Sequence, residues 1–469
     1  MSVLALAQLM VLLDATVINI ALPRAQMDLH FSSGNRQWIV TAYALSFGSL
    51  LLLGGRLSDL WGRRTALYVG LAGFALASAL GGAAHSFTML VTARAIQGVF
   101  GALLAPAALA ALTVTFHEPK ERAKAFAIYG AIGGSGAAIG LLLGGALTQW
   151  ASWRWCLYIN LVFAAVALVG VALFVEGGRG EDRSRLDALG TVLASAGLFF
   201  VVYAFGHAVT SSWTDPLTWG SLLLGTVLLV VFVYWQARSK HPLLPLRVVT
   251  NRTRAGSFLA LLLTSMSVYA VFLLLSYYLE ETLGYSPLRA GFAFLPIVIA
   301  ITLSASFASA RLLAVTGPRP LVPTGMVLSM MGMVLFTRLT PLPDYAGHVL
   351  PGLVVLGLGL GLVFAPAFAS ATAAVEPRDA GAASAMVNTA QQIGGSLGTA
   401  ILNTIAVTVT TRALEHPGTN DVTVTSATIH GFSVAFWWAA GFFGVGALVS
   451  FLLLESGNPV ASGELVPAT

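Results

Sequence analysis

Arg56-Leu57-Ser58-Asp59-Leu60-Trp61-Gly62-Arg63-Arg64 finds an echo 255 residues later in Arg311-Leu312-Leu313-Ala314-Val315-Thr316-Gly317-Pro318-Arg319. Both segments place Gly six residues after an Arg and another Arg two further on. Two more pairs follow in the same order. Gly101-Ala102-Leu103-Leu104-Ala105-Pro106-Ala107 returns as Gly361-Leu362-Val363-Phe364-Ala365-Pro366-Ala367, at an offset of 260. Ile132-Gly133-Gly134-Ser135 returns as Ile393-Gly394-Gly395-Ser396, at 261. Each match alone is weak, but three in order at a nearly constant offset mark an internal repeat.

The repeat is set in a chain that water cannot dissolve. Of 469 residues, 57% are hydrophobic and 9% charged, where a soluble domain carries about 25% charged residues. Too few polar groups remain to cover so much apolar surface. A soluble enzyme and a disordered chain are excluded. A net charge of +5 spread over the whole length is not a nucleic-acid-binding patch. The single Cys156 excludes an internal disulfide framework, and the eight His form no metal-binding spacing.

Apolar stretches of about 20 residues cross a bilayer as helices. Fourteen are expected here, near 3–22, 38–55, 66–84, 88–110, 125–147, 155–175, 190–206, 217–235, 256–278, 290–310, 320–337, 347–370, 382–409 and 432–454. The first lacks a basic flank and runs on into further spans, so it reads as a span and not a cleaved signal. If the N-terminus lies inside, 17 of the 24 Lys and Arg residues fall in cytoplasmic loops and 6 in outer loops. The positive-inside rule then sets both termini in the cytoplasm.

Because the repeat pairs spans that lie eight apart, an even number, the two copies share one membrane orientation. The expected organisation is an all-α polytopic protein: a six-helix half over 1–176, a linker and inserted two-helix hairpin over 177–255, a second parallel half over 256–455, and a cytoplasmic tail over 456–469. Two parallel halves with a site between them near the midplane resemble the major facilitator architecture.

Asp14 and Arg94 are the charges set well inside apolar spans. A charge at a helix centre costs about 2.5–3.5 kcal/mol on insertion scales, so such residues face the bundle interior and mark ion or substrate paths. Arg94 lies roughly 9 Å in from the outer end of its span, at a level similar to Asp14. A structural ion pair and a proton-coupling pair are both open at this point.

The surrounding residues add a resemblance. Leu13-Asp14-Ala15-Thr16-Val17-Ile18-Asn19-Ile20-Ala21-Leu22-Pro23 is similar to the span-one motif of the drug:proton antiporter family with fourteen spans. Gly55-Arg56-Leu57-Ser58-Asp59-Leu60-Trp61-Gly62-Arg63-Arg64 resembles the cytoplasmic loop motif of the whole major facilitator superfamily. Arg94-Ala95-Ile96-Gln97-Gly98 resembles its span-four motif, and Ser152-Trp153-Arg154-Trp155-Cys156-Leu157-Tyr158-Ile159-Asn160 the family's opening of span six. The antiporter motif of span five is matched by Gly136, Gly140, Gly144 and Gly145, with Leu141 where Pro is usual. Without that Pro the kink it would impose is not expected.

The resemblance implies proton-coupled efflux of an amphipathic, aromatic drug or natural-product antibiotic across a bacterial cytoplasmic membrane. Asp14 and Arg94 would couple the proton, and Gly55, Arg56, Asp59, Gly62, Arg63 and Arg64 would form an inner gate, with Asp59 in a wet loop. The repeat copy has Ala314 in place of Asp59. Asn19, Gln97, Asn388, Gln391 and Gln392 are candidate substrate-lining groups, although amides between helices also act as glue worth about 0.6 kcal/mol each. No cofactor and no metal are expected, the drive being the proton gradient. The partners are the substrate, protons and the lipid bilayer, with the chain acting as a monomer. A symporter or facilitator for a small metabolite is the alternative, but few directed polar groups are present for a hydrophilic solute. No GxxxxGK[ST] phosphate loop, HExxH or nucleophile elbow argues for an ATP-driven pump or an enzyme.

Overall fold

The computed structural model describes residues 1–31, 36–116, 118–175, 186–210, 213–307, 312–342, 344–415 and 423–456. Asn19 and Ala314 fall in helices, but their side chains lie outside the description, and Arg311 lies outside it altogether. The described residues contain no strand. Fourteen helices carry the fold. The first six are α1 (Ser2–Leu29), α2 (Arg36–Trp61), α3 (Arg63–Gly82), α4 (Phe87–Thr115), α5 (Pro119–Trp150) and α6 (Trp155–Phe174). Next come α7 (Ala188–Thr210) and α8 (Pro216–Gln236). The last six are α9 (Arg252–Tyr277), α10 (Leu295–Phe307), α11 (Pro318–Phe336), α12 (Leu350–Ala371), α13 (Ala380–Glu415) and α14 (Val424–Leu453).

Among the described residues, twelve helical segments are long and apolar enough to cross a membrane. Those within α1 and α5 are shorter, Ser2–Ile18 and Ile139–Trp150. The chain is therefore a multi-pass membrane protein.

Local chemistry sets the helix starts. Ser86, Asp215, Asn251, Ser286 and Thr423 each accept a hydrogen bond from a first-turn N–H of the helix that follows, satisfying donors that a helix leaves open. The stretch expected as one span over 290–310 is one apolar segment, Leu288–Phe307, with a turn in it: a two-turn helix, Pro287–Ala293, precedes α10. Pro296 lacks the N–H that would carry the ladder through the junction. By contrast α5 runs unbroken for 32 residues, as the absence of Pro at Leu141 leads one to expect.

The repeat is present in the backbone. Gly62 joins α2 to α3 at φ 86°, and Gly317 opens α11 at φ 73°. Only glycine holds such angles at little cost, which explains why this residue survives in both copies.

Packing repeats as well. In the first copy α1 lies on α5 and α6, α2 on α4, and α3 on α4 and α6; in the second, α9 lies on α13 and α14, α10 on α12, and α11 on α12 and α14. Small residues permit these approaches. Gly136 and Gly144 leave room only for Leu12 and Val17, where an added Cβ would fall 2.9 Å from Leu12 Cβ and 3.0 Å from the Val17 carbonyl. Gly140 lies against Thr16 in the same row, and Gly394 and Gly398 press on the Leu262 and Met266 carbonyls of α9. The copies meet where α2 and α4 touch α13, and where α5 touches α10 and α12. Helix α7 packs on both α2 and α13, and α8 covers α7 with much of its own surface exposed.

Candidate functional site

The structure pairs the two charges expected inside the membrane. Arg94 Nη1 donates to Asp14 Oδ2 at 2.5 Å, and both side chains are fully buried. Gln97, one helical turn after Arg94, faces the same way. Its Oε1 accepts from Arg94 Nη1 at 2.9 Å, while its Nε2 donates to Asp14 Oδ1 at 3.0 Å and to Ser78 Oγ at 2.6 Å. Asn160 Nδ2 of α6 donates to Asp14 Oδ1 at 2.7 Å and to Ser78 Oγ at 3.3 Å. Helix α2 closes the cluster: Arg94 Nε donates to the Ile39 carbonyl at 3.3 Å, and the Tyr43 ring covers the guanidinium, 4.5 Å from its carbon.

Five helices thus converge on one carboxylate. Asp14 accepts from three side chains, so its charge is matched by a cation and by two amide dipoles. Charge-assisted hydrogen bonds contribute about 1.5–3 kcal/mol each, which offsets the cost of burying the ions. Arg94 Nη2 and Asn160 Oδ1 find no hydrogen-bond partner among the described residues. The Tyr43 hydroxyl is likewise without one among them, so the cluster keeps both donor and acceptor capacity in hand.

A second feature lies at the end of α2. Asp59 was expected in a solvated loop; instead it is inside the last turns of α2 and buried, and its Oδ1 accepts the Gly381 N–H at 2.9 Å. The reason is the tight turn at Gly62, which leaves no loop and turns Asp59 toward the other half. Gly381 is the second residue of α13, so Asp59 caps a helix of the other repeat copy and meets the positive end of its dipole. Gly55, one turn earlier, touches the Gly381 backbone, and an added Cβ there would lie 2.7 Å from Ala385 Cβ. Arg56 and Arg63 lie close enough to act on the Asp59 charge, and Asp379 acts on it as a like charge. Arg64 reaches elsewhere, donating to the Ala172 carbonyl of α6 at 3.1 Å.

The sequence and the fold have counterparts among known proteins. The family model described as Major Facilitator Superfamily matches residues 4–399. The chain belongs to this superfamily. It is 47% identical to the puromycin resistance protein pur8 of Streptomyces alboniger, over 98% of this chain and 93% of that protein. It is 36% identical to the cephamycin export protein CmcT of Amycolatopsis lactamdurans, over 85% and 83%. In fold it is similar to the human organic anion transporter MFSD10, with a TM-score of 0.65 at 18% identity, over 97% and 98%. As a major facilitator the chain is a membrane transporter of small substrates and not an enzyme.

The remaining candidate residues of this major facilitator are dispersed. Gln97 belongs to the Asp14 cluster, and Asn160 of the quoted span-six motif joins it. Asn388 donates to the Ser384 carbonyl one turn back, at 2.9 Å. Gln392 faces α2, where a Cβ on Gly48 would lie 3.1 Å from its Cγ; Gln391 is half-buried. Asn19 lies outside the described side chains. Outside the candidate set, His207 near the end of α7 pairs with Asp215 Oδ2 at 3.0 Å and stacks on Tyr203. The Leu217 N–H and His207 together hold the Asp215 carboxyl below its ordinary range.

Ser78 and Tyr43 were not singled out from the sequence. A serine in an apolar helix carries no distinguishing signal, because it can satisfy itself on its own backbone. Tyr43 lies four residues after Ile39 on the same face of α2, a spacing that is meaningful only once Arg94 is known to sit there.

Proposed function

We propose that the chain is a proton-coupled exporter of an amphipathic, aromatic natural-product antibiotic, acting across a bacterial cytoplasmic membrane. The observation that carries this reading is the Asp14 cluster. A transporter that has no use for protons gains nothing by burying a carboxylate among Arg94, Gln97 and Asn160, at a cost that apolar side chains would avoid. A proton arriving at Asp14 competes with these three donors, so protonation and rearrangement of the cluster are linked. The printed names of the relatives, puromycin resistance and cephamycin export, support the substrate class.

In this reading α1 and α5 also span the bilayer, giving fourteen spans with both termini cytoplasmic. Residues 1–176 and 256–455 are the moving halves, 177–255 the inserted hairpin with its linkers, and 456–469 a tail. Asp59 at the N-terminus of α13 holds the cytoplasmic side closed. The chain works as a monomer, without a cofactor, on the proton gradient.

Proteoliposomes with an imposed pH gradient test the reading, with puromycin as the probe. Wild-type protein should accumulate it against its gradient and move protons when it is added. Asp14→Asn keeps the shape but cannot titrate; it should still bind the probe and lose accumulation, while Asp14→Glu keeps part of it. Wild-type proton movement in Asp14→Asn would place coupling elsewhere.

A further inference from the structure

The start of α13 receives two carboxylates. Asp59 arrives from the first half and accepts the Gly381 N–H. Asp379 immediately precedes the helix and is itself buried. Both gain from the helix dipole, but they are like charges in the same seam, and Asp379 acts against the Asp59 charge. Two carboxylates crowd one another unless a cation intervenes.

Arg56 and Arg63 act on Asp59; the cation bonded to Asp379 comes from a third place in the chain. Arg247 sits in a single-turn helix, Leu246–Thr250, on the segment that leads from α8 to α9. Its Nε and Nη2 both donate to Asp379 Oδ2, at 2.9 and 2.7 Å. It also reaches Glu376 Oε2 at 3.5 Å, a carboxylate engaged by Arg378 Nε at 2.6 Å. Arg254 fixes the backbone of this segment. It donates to the Arg247 carbonyl at 2.7 Å and the Val248 carbonyl at 3.0 Å, and its Nη1 reaches the Ala373 and Ala374 carbonyls at 3.3 and 3.2 Å. The segment after the inserted hairpin is thereby fastened to the turn between α12 and α13.

We propose that Arg247 is a positioning residue of the inner gate: by neutralising Asp379 it lets a second carboxylate, Asp59, occupy the same helix N-terminus. The hairpin insertion then supplies the gate with a charge that the six-helix repeat does not contain. The inference rests on the proposed gate at Asp59, but neither on proton coupling nor on the identity of the substrate.

The test is made without substrate or gradient, so that its outcome is independent of the export reading. Ala385→Cys, buried in the seam beside Gly55, reports gate opening by its rate of labelling with N-ethylmaleimide in inside-out vesicles, in a chain where Cys156 is replaced by Ala. Arg247→Gln should speed labelling by about fivefold, the scale of a partly exposed ion pair. Adding Asp379→Asn to it should return the rate to within twofold of the parent, because the uncompensated charge is gone. Asp379→Asn alone, a near-isosteric change to be read even if Arg247→Gln fails to fold, should label no faster than the parent. A simple tether predicts the opposite, that both single variants open the seam. Faster labelling in Asp379→Asn alone, or an unchanged rate in Arg247→Gln, would overturn the proposal.

Discussion

In the first repeat copy one group of buried polar side chains bonds within itself: Asp14, Ser78, Arg94, Gln97 and Asn160 form one cluster drawn from four helices. Several of those described in the second copy turn to carbonyl oxygens instead. Ser267 donates to the Ala439 carbonyl at 3.1 Å, Ser304 to Leu358 at 2.7 Å, Asn388 to Ser384 at 2.9 Å and Ser450 to Gly446 at 2.6 Å. The helices pack in the same pattern in both copies, so the backbone is shared and the chemistry is not. A cluster of charges and amides has more than one way to connect, whereas a hydroxyl bonded to a backbone carbonyl simply fills its need. The buried ion pair proposed for proton coupling, Asp14 and Arg94, thus belongs to the first copy.

The sharpest way to break this contrast is Arg94→Met. It leaves Asp14 buried without its cation, a defect that costs about 3–5 kcal/mol. A large loss of thermal stability in detergent is expected, beyond that of any single polar substitution in the second copy. A melting temperature close to wild type would mean that the cluster bears little energy and that the contrast is decorative.

Asp59 gives an intermediate effect. Asp59→Ala leaves the Gly381 N–H unpaired in a closed seam, costing about 1–3 kcal/mol of the closed state. Asp59→Asn keeps an acceptor oxygen but loses the charge facing the helix dipole, about 0.3–1 kcal/mol. Efflux of puromycin from cells, normalised to expression, should fall in the order wild type, Asn, Ala. Ala314→Asp should restore neither, because the latch belongs to one copy; restoration would make the two copies interchangeable.

The smallest effect is expected from Asn388→Leu. Its amide donates to a carbonyl of its own helix, so the loss should be that of one local neutral hydrogen bond, about 1 kcal/mol. Transport reduced more than tenfold with stability intact would instead put Asn388 in contact with substrate and give the second copy a polar function of its own.

Much of this was legible in the sequence. The repeat offsets of 255–261 anticipated the matching helix contacts, and Gly62 and Gly317 carry the reason in their positive φ. Asp14 and Arg94 stood out because charge in an apolar span is costly. Ser78 did not stand out, since small polar side chains are common in such helices, and Tyr43 acts through a ring that could as well have been lipid-facing core. Asp59 was misplaced because a run of charged residues after an apolar span normally signals a wet loop; the turn at Gly62 folds that run back into the protein. Arg247 was counted only as one more positive charge on the cytoplasmic side. Its partner lies 132 residues away, which local spacing cannot reveal.

Helix α13 is 36 residues long, about 54 Å at the usual rise per residue, against a hydrocarbon core of about 30 Å. Its first turn carries the Asp59 contact and Gln392 lies against α2 about 18 Å further along, while roughly 35 Å of rod remains beyond that point. The contact at its first turn and the contact at Gln392 therefore bear on one continuous helix that is longer than the hydrocarbon core is thick.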